Sequence, residues 1–127
     1  MRKQSYFRPT ERGVLIWDVD RLVELSREFE RRRVPLEAIR EIDEAFWMNG
    51  QEVTCRELAM HARLIREADL SFPIILNADG RVMDGMHRVC KALLDGRANI
   101  EAVQFKVDPE PDYVDVPEDD LPYDDNA

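Results

Sequence analysis

The sequence predicts an α+β domain: a small mixed sheet with helices packed on it, in which a β-hairpin runs into a helix that opens at a glycine. Two patterns carry this expectation. Short β-branched runs ended by polar residues alternate with longer stretches whose apolar residues recur at helical spacing. Both occur in succession between Phe72 and Gly96. A third observation sets the scale, since 127 residues, 44% of them hydrophobic, make one domain with a modest core.

Met1 to Arg12 shows no periodicity and is expected as an extended arm, and Gly13 to Trp17 reads as a strand. Asp18 or Asp20 then caps a helix whose inner stripe is Val19, Leu22, Leu25, Ser26 and Phe29. Arg31-Arg32-Arg33 ends it, where cations suit the helix dipole. The aspartates have a second reading as metal ligands, and the arginines as a nucleic-acid patch. Val34 to Ile39 reads as an extended segment. From Arg40 to Asn49 the pattern leaves short helix and loop open. This stretch holds Glu41, Asp43 and Glu44, then Phe46 and Trp47, expected in the core or as cover for a pocket.

Thr54-Cys55-Arg56-Glu57 is a capping box opening a helix to about Ala68. Its spacing puts Cys55, Leu58, Ala59, Ala62 and Ile65 inward, and His61, Arg63 and Arg66 on other faces, with His61 read as a surface histidine. Cys55 is either a reactive thiol at a helix start or a small buried apolar group. Phe72 to Leu76 is a strand, Asn77-Ala78-Asp79-Gly80 a turn, and Arg81 to Asp84 a second strand. Gly85 breaks the pattern. The helix that follows carries Met86, Val89, Cys90, Leu93 and Leu94 on one stripe, and His87, Arg88, Lys91 and Asp95 opposite, and Gly96 stops it. Ala98 to Lys106 is a last strand.

Residues 108–127 hold nine acids, no Lys or Arg, and four of the seven prolines, and read as a disordered or extended acidic tail after a 1–107 domain. Tyr113 and Tyr123 are candidate anchors for it. The other 18 acids match the 18 Lys and Arg, so the net charge of −9 lies in the tail. A neutral domain argues against nonspecific nucleic-acid binding, though not against a localised basic pocket. No apolar run reaches the ~18 residues of a membrane span, and no apolar leader is evident, so a cytoplasmic protein without a membrane partner is expected. The two cysteines fit reduced thiols, and no structural zinc pattern is present.

A helix that starts directly after a strand leaves its first amides without intrahelical acceptors, and with the dipole they favour an anion such as phosphate. Gly85 lets the backbone approach one, and His87 and Arg88 add donors, the arginine as a planar fork. The alternative is an ordinary corner whose His87 and Arg88 are solvated or pair with Asp84.

Asp84-Gly85-Met86-His87-Arg88, with Gly96 beyond, resembles the signature helix of the ParB/sulfiredoxin superfamily. ParB-type CTPases carry Gly-Glu-Arg-Arg at this corner, sulfiredoxins Gly-Cys-His-Arg, and free-serine kinases Asp-Gly-His-His-Arg, which is the nearest variant. The order of elements from Val34 to Phe105 is similar too. The resemblance implies a nucleotide-phosphate pocket built from Gly85, Met86, His87 and Arg88. It implies ATP, ADP or CTP as cofactor, with Mg²⁺ held through Asp84. Met86 replaces the thiolate that sulfiredoxin chemistry requires, which excludes that activity. The Glu-Arg-Arg triplet and a following DNA-binding domain are missing, which argues against centromere binding.

Two functions follow. One is a nucleotide-dependent phosphotransferase or nucleotide hydrolase, with Asp84 and His87 as catalytic candidates, Glu41 or Asp43 as proton acceptor or metal ligand, and a small-molecule or protein acceptor. Glu41 and Asp43 also read as a solvated acidic face. The other is a non-catalytic nucleotide-sensing or protein-interaction module. An accessory DNA-partitioning protein is a third reading, and a homodimer is left open.

Overall fold

A computed structural model of the chain describes residues 4–48 and 50–121. They form an α+β fold with two sheets and three α-helices. Among them no helix is long and apolar enough to cross a membrane.

The chain begins with a hairpin, β1 (Ser5–Thr10) against β2 (Gly13–Asp18), where the sequence suggested a loose arm. Partners in β2 supply what β1 lacks in pattern: Leu15, Ile16 and Trp17 are buried and Tyr6 lies across Trp17 at 5.5 Å. Asp18 caps α1 (Val19–Ser26) by accepting the Asp20 amide, which settles which aspartate is the cap. This helix stops before the arginine triplet. Arg32 and Arg33 belong instead to β3 (Arg32–Pro35), whose pairing with a later strand overrides helical spacing. Two 3₁₀ turns follow, Leu36–Ala38 and Arg40–Asp43.

Helix α2 (Cys55–Glu67) opens at Thr54, whose hydroxyl accepts the Glu57 amide as a capping box requires. Of the residues expected inward only Ile65 packs. Cys55, Leu58, Ala59 and Ala62 are exposed, and His61, Leu64, Ile65 and Ala68 are partly buried. Strands β4 (Ile74–Leu76) and β5 (Val82–Asp84) form the expected hairpin. Its turn is shaped by Asn77, whose side-chain oxygen accepts both the Asp79 and Arg81 amides.

Gly85 takes the left-handed conformation (φ 106°) and starts α3 (Met86–Leu94). A Cβ at this position would stand 2.7 Å from Ile74 Cγ2, so close helix–strand packing as well as φ demands glycine. The helix ends in a Schellman motif, with Arg97 N–H bonding Ala92 O and Gly96 N–H bonding Leu93 O. Met86, Val89 and Ala92 face inward, and burial of the first two contributes roughly 1.5–3 kcal/mol each. Leu93 and Leu94, placed on the inner stripe by spacing, are exposed; Ala92 takes that place.

Strand β6 (Asn99–Gln104) is central in the order β3-β6-β4-β5, parallel to β4 and antiparallel to β3. Alternation sends Ile74, Leu76, Val82, Ile100 and Ala102 to the face under α3. Ile75, Met83, Val103 and Phe105 go to the other face, where they meet Leu15, Trp17 and Leu22. The sheet is thus covered on both sides, by α3 on one and by the N-terminal hairpin and α1 on the other.

The acidic tail is not loose through residue 121. It runs across the N-terminal hairpin and adds β7 (Tyr113–Val114) to β2. The buried Trp17 indole donates to Pro109 O, Asp108 accepts from Arg8 and the Ala78 amide, and Asp112 pairs with Arg21. Tyr113 anchors it within β7; Tyr123 lies outside the described residues, as do Met1 to Lys3 of the expected arm and Asn49.

Candidate functional site

The amides of Met86, His87 and Arg88 have no acceptor among the described residues, since the first helical bond of α3 runs from Val89 N–H to Gly85 O. No side chain caps this end. Gly85, Met86 and His87 line a cavity of about 570 Å³. Its aromatic wall comes from Tyr6 and Phe7 of β1 and from Phe46 and Trp47, and Glu118 and the buried Leu121 of the tail close one side. The corner expected to receive an anion thus borders a cavity, and the aromatic pair of residues 46–47 forms part of the same wall.

The motif arginine points elsewhere. The Arg88 guanidinium donates through Nη2 to Asp84 Oδ2 and through Nη1 to Pro73 O, both at 2.8 Å. It lines a second, more apolar cavity of about 370 Å³ with Val23, Phe29, Phe72 and Val103. Asp84 lines both cavities and is the wall between the arginine and the open amides. This is the Asp84–Arg88 pairing that the sequence left as the alternative, and it coexists with an uncapped helix start.

His87 makes a contact that spacing did not reveal. Its Nε2 lies 2.9 Å from His61 Nδ1 on α2. The Trp47 indole stacks on both imidazoles, 4.4 Å from each ring centroid, at 26° to His61 and 18° to His87. The chain's two histidines are thus bridged beneath one tryptophan, and His61 is no surface histidine. Burial, and then the neighbouring His61, hold His87 below its ordinary value of 6.5. The signal that could have found this was the registration of α2 on α3, which also brings the Lys91 ammonium onto Arg66 O and Ala68 O.

Glu41 and Asp43 are not brought to this corner together. Glu41 is 4% exposed; its Oε2 accepts the Val82 amide at 2.7 Å and its Oε1 lies 3.7 Å from Arg81 Nη1. It secures the start of β5, and Arg81 also grips Glu44 at 3.0 Å. Neither the solvated-face reading nor a place beside phosphate describes it. Asp43 is exposed. Among the described residues no group of three or more His, Cys, Asp or Glu side chains gathers as metal ligands. Cys55 is exposed, and burial raises the Cys90 thiol above its ordinary value.

These features define a small α+β protein with a cavity at an uncapped helix start beneath a histidine–tryptophan cluster. No protein-family model matches the chain, and no curated protein and no solved structure matches it either.

Proposed function

We propose that the cavity at the start of α3 binds the phosphate of a nucleotide, ATP, ADP or CTP. What carries this reading is a run of three amides without acceptors among the described residues at a helix start where Met86 and the His87 imidazole line a cavity. The phosphate oxygens would take the amides of Met86, His87 and Arg88, and the base would stack among Tyr6, Phe7, Phe46 and Trp47. The likeness of Asp84-Gly85-Met86-His87-Arg88 to the ParB/sulfiredoxin signature supports the same ligand class. Arg88 contributes by fixing Asp84 and the corner. A single carboxylate with one oxygen given to arginine is a poor magnesium site, so Mg²⁺ would arrive on the nucleotide, with Asp84 Oδ1 as the oxygen left to meet it.

Binding without turnover is the form this geometry favours, because Glu41 is sealed under β5 and Asp43 stands outside the cavity wall. One observation favours a second, catalytic reading: His87 has an imidazole partner that fixes its ring, as a general base in phosphoryl transfer requires. Calorimetry with ATP, ADP and CTP, with and without Mg²⁺, tests the site. Micromolar binding of at least one nucleotide is expected, and no heat from any of them contradicts the reading. Nucleotide consumption in the same samples separates the two forms.

A further inference from the structure

The bridge between the two histidines has a property that a bridge between other polar side chains lacks. With both rings neutral, one facing nitrogen carries a hydrogen and the other accepts it. One added proton goes to an outer nitrogen, His61 Nε2 or His87 Nδ1, and the N–H···N bridge remains. A second added proton places hydrogens on both facing nitrogens, 2.9 Å apart, on rings whose centroids are 5.2 Å apart. The hydrogen bond is then gone and two like charges face each other.

The surroundings do not relieve that state. Among the described residues no carboxylate forms an ion pair with either ring. Of the acids on the cavity wall, Asp84 is held by Arg88, and Glu118 comes from the tail. On α3, Lys91 follows His87 by one turn and its ammonium is fixed on Arg66 O and Ala68 O. On α2, Glu57 precedes His61 by one turn and is exposed. Trp47, packed on both rings, is neutral; it favours one imidazolium through its π face but cannot offset repulsion between two.

We propose that the His61–His87 bridge beneath Trp47 is an acid-released latch on the cavity at the start of α3, closed while the pair holds at most one added proton and open once it holds two. Three separate segments meet at it: α2 through His61, the turn before α2 through Trp47, and α3 through His87; α2 and α3 are also tied by Lys91 on Arg66 O and Ala68 O. Trp47 and His87 are both cavity wall, so release changes access to the site. The consequence for nucleotide rests on the proposed function, but the latch itself is read in ligand-free protein.

The test uses the full chain without ligand. Its imidazole nitrogens, from two histidines only, are followed by ¹⁵N NMR, Trp47 exposure by acrylamide quenching against a Trp47→Phe reference, and overall fold by far-UV circular dichroism. The pair is expected to titrate in two steps separated by more than about one pH unit, as coupled sites do. Trp47 quenching should rise at least twofold at the lower step only. His61→Asn sets a non-titrating amide where Nδ1 stands, and should leave one His87 step and no acid-dependent rise. The proposal is overturned by two rings titrating independently, by quenching that stays flat through both steps, by His61→Asn opening as the wild type does, or by global unfolding before the second step. Absence of nucleotide binding would instead remove the proposed function and leave the latch standing.

Discussion

The Arg88 guanidinium closes on the Asp84 carboxylate at 2.8 Å, one helical turn back along the chain, and on the Pro73 carbonyl at the same distance. A sequence motif read as one anion grip is in the structure two devices on either side of Asp84. Met86 and His87 border one cavity, and the arginine pins strand β5 to the start of α3 from the other.

Arg88→Ala therefore acts first on stability. It removes two charge-assisted hydrogen bonds and leaves a partly buried Asp84 carboxylate and a carbonyl without partners, at a cost of about 2–3 kcal/mol. Urea melts check this. Arg88→Lys, which keeps the charge but not the fork, should recover less than half of the loss.

Gly85→Ala meets two obstacles at once, a left-handed φ and Ile74 Cγ2 within 2.7 Å of the new Cβ. The expected loss is roughly 2–4 kcal/mol, from backbone strain together with overpacking. A denaturation midpoint equal to that of the wild type would show that the corner relaxes.

Removing residues 108–127 is expected to destabilise the domain by at least about 3 kcal/mol, because the buried Trp17 indole loses Pro109 O and Arg8 loses Asp108. A chain ending at Val107 that melts like the full protein would return the tail to the role of a solvated appendage.

Stability should also depend on pH in one direction. His87 titrates below its unfolded value of 6.5 because of burial and the adjacent His61. Above 6.5 both states are neutral and stability is level. Below it the unfolded chain takes up the proton first, so stability falls as pH drops through 6.5 and on through the lower native value. Denaturant melts between pH 8 and 5 check this, and His87→Gln should flatten the slope over that range.

The hairpin from β4 to β5, the glycine corner and α3 were legible in the sequence because their signals are local: an Asx turn at Asn77, φ > 0 at Gly85, a Schellman glycine at Gly96. The elements misjudged depend on distant partners. β1 is a strand because β2 lies beside it, and Arg32 and Arg33 are extended because β6 pairs with them. On α2 the apolar spacing alone does not select the buried face, since Leu58, Ala59 and Ala62 are exposed while Leu64, Ile65 and Ala68 are partly buried. His61 goes inward because Trp47 and His87, fourteen residues before it and twenty-six after it, offer two ring partners. Glu41 looked like one of several surface acids; only the register of β5 shows that it meets the Val82 amide.

The central claim is that the open amides at the start of α3 hold phosphate oxygen, and an ¹⁵N-amide NMR titration of the full chain with ATP reads it most directly. The account predicts that the Met86, His87 and Arg88 amides shift together and saturate at micromolar ATP, with the Trp47 indole signal moving alongside. Saturable shifts elsewhere with these three amides unmoved, or none anywhere, would contradict it.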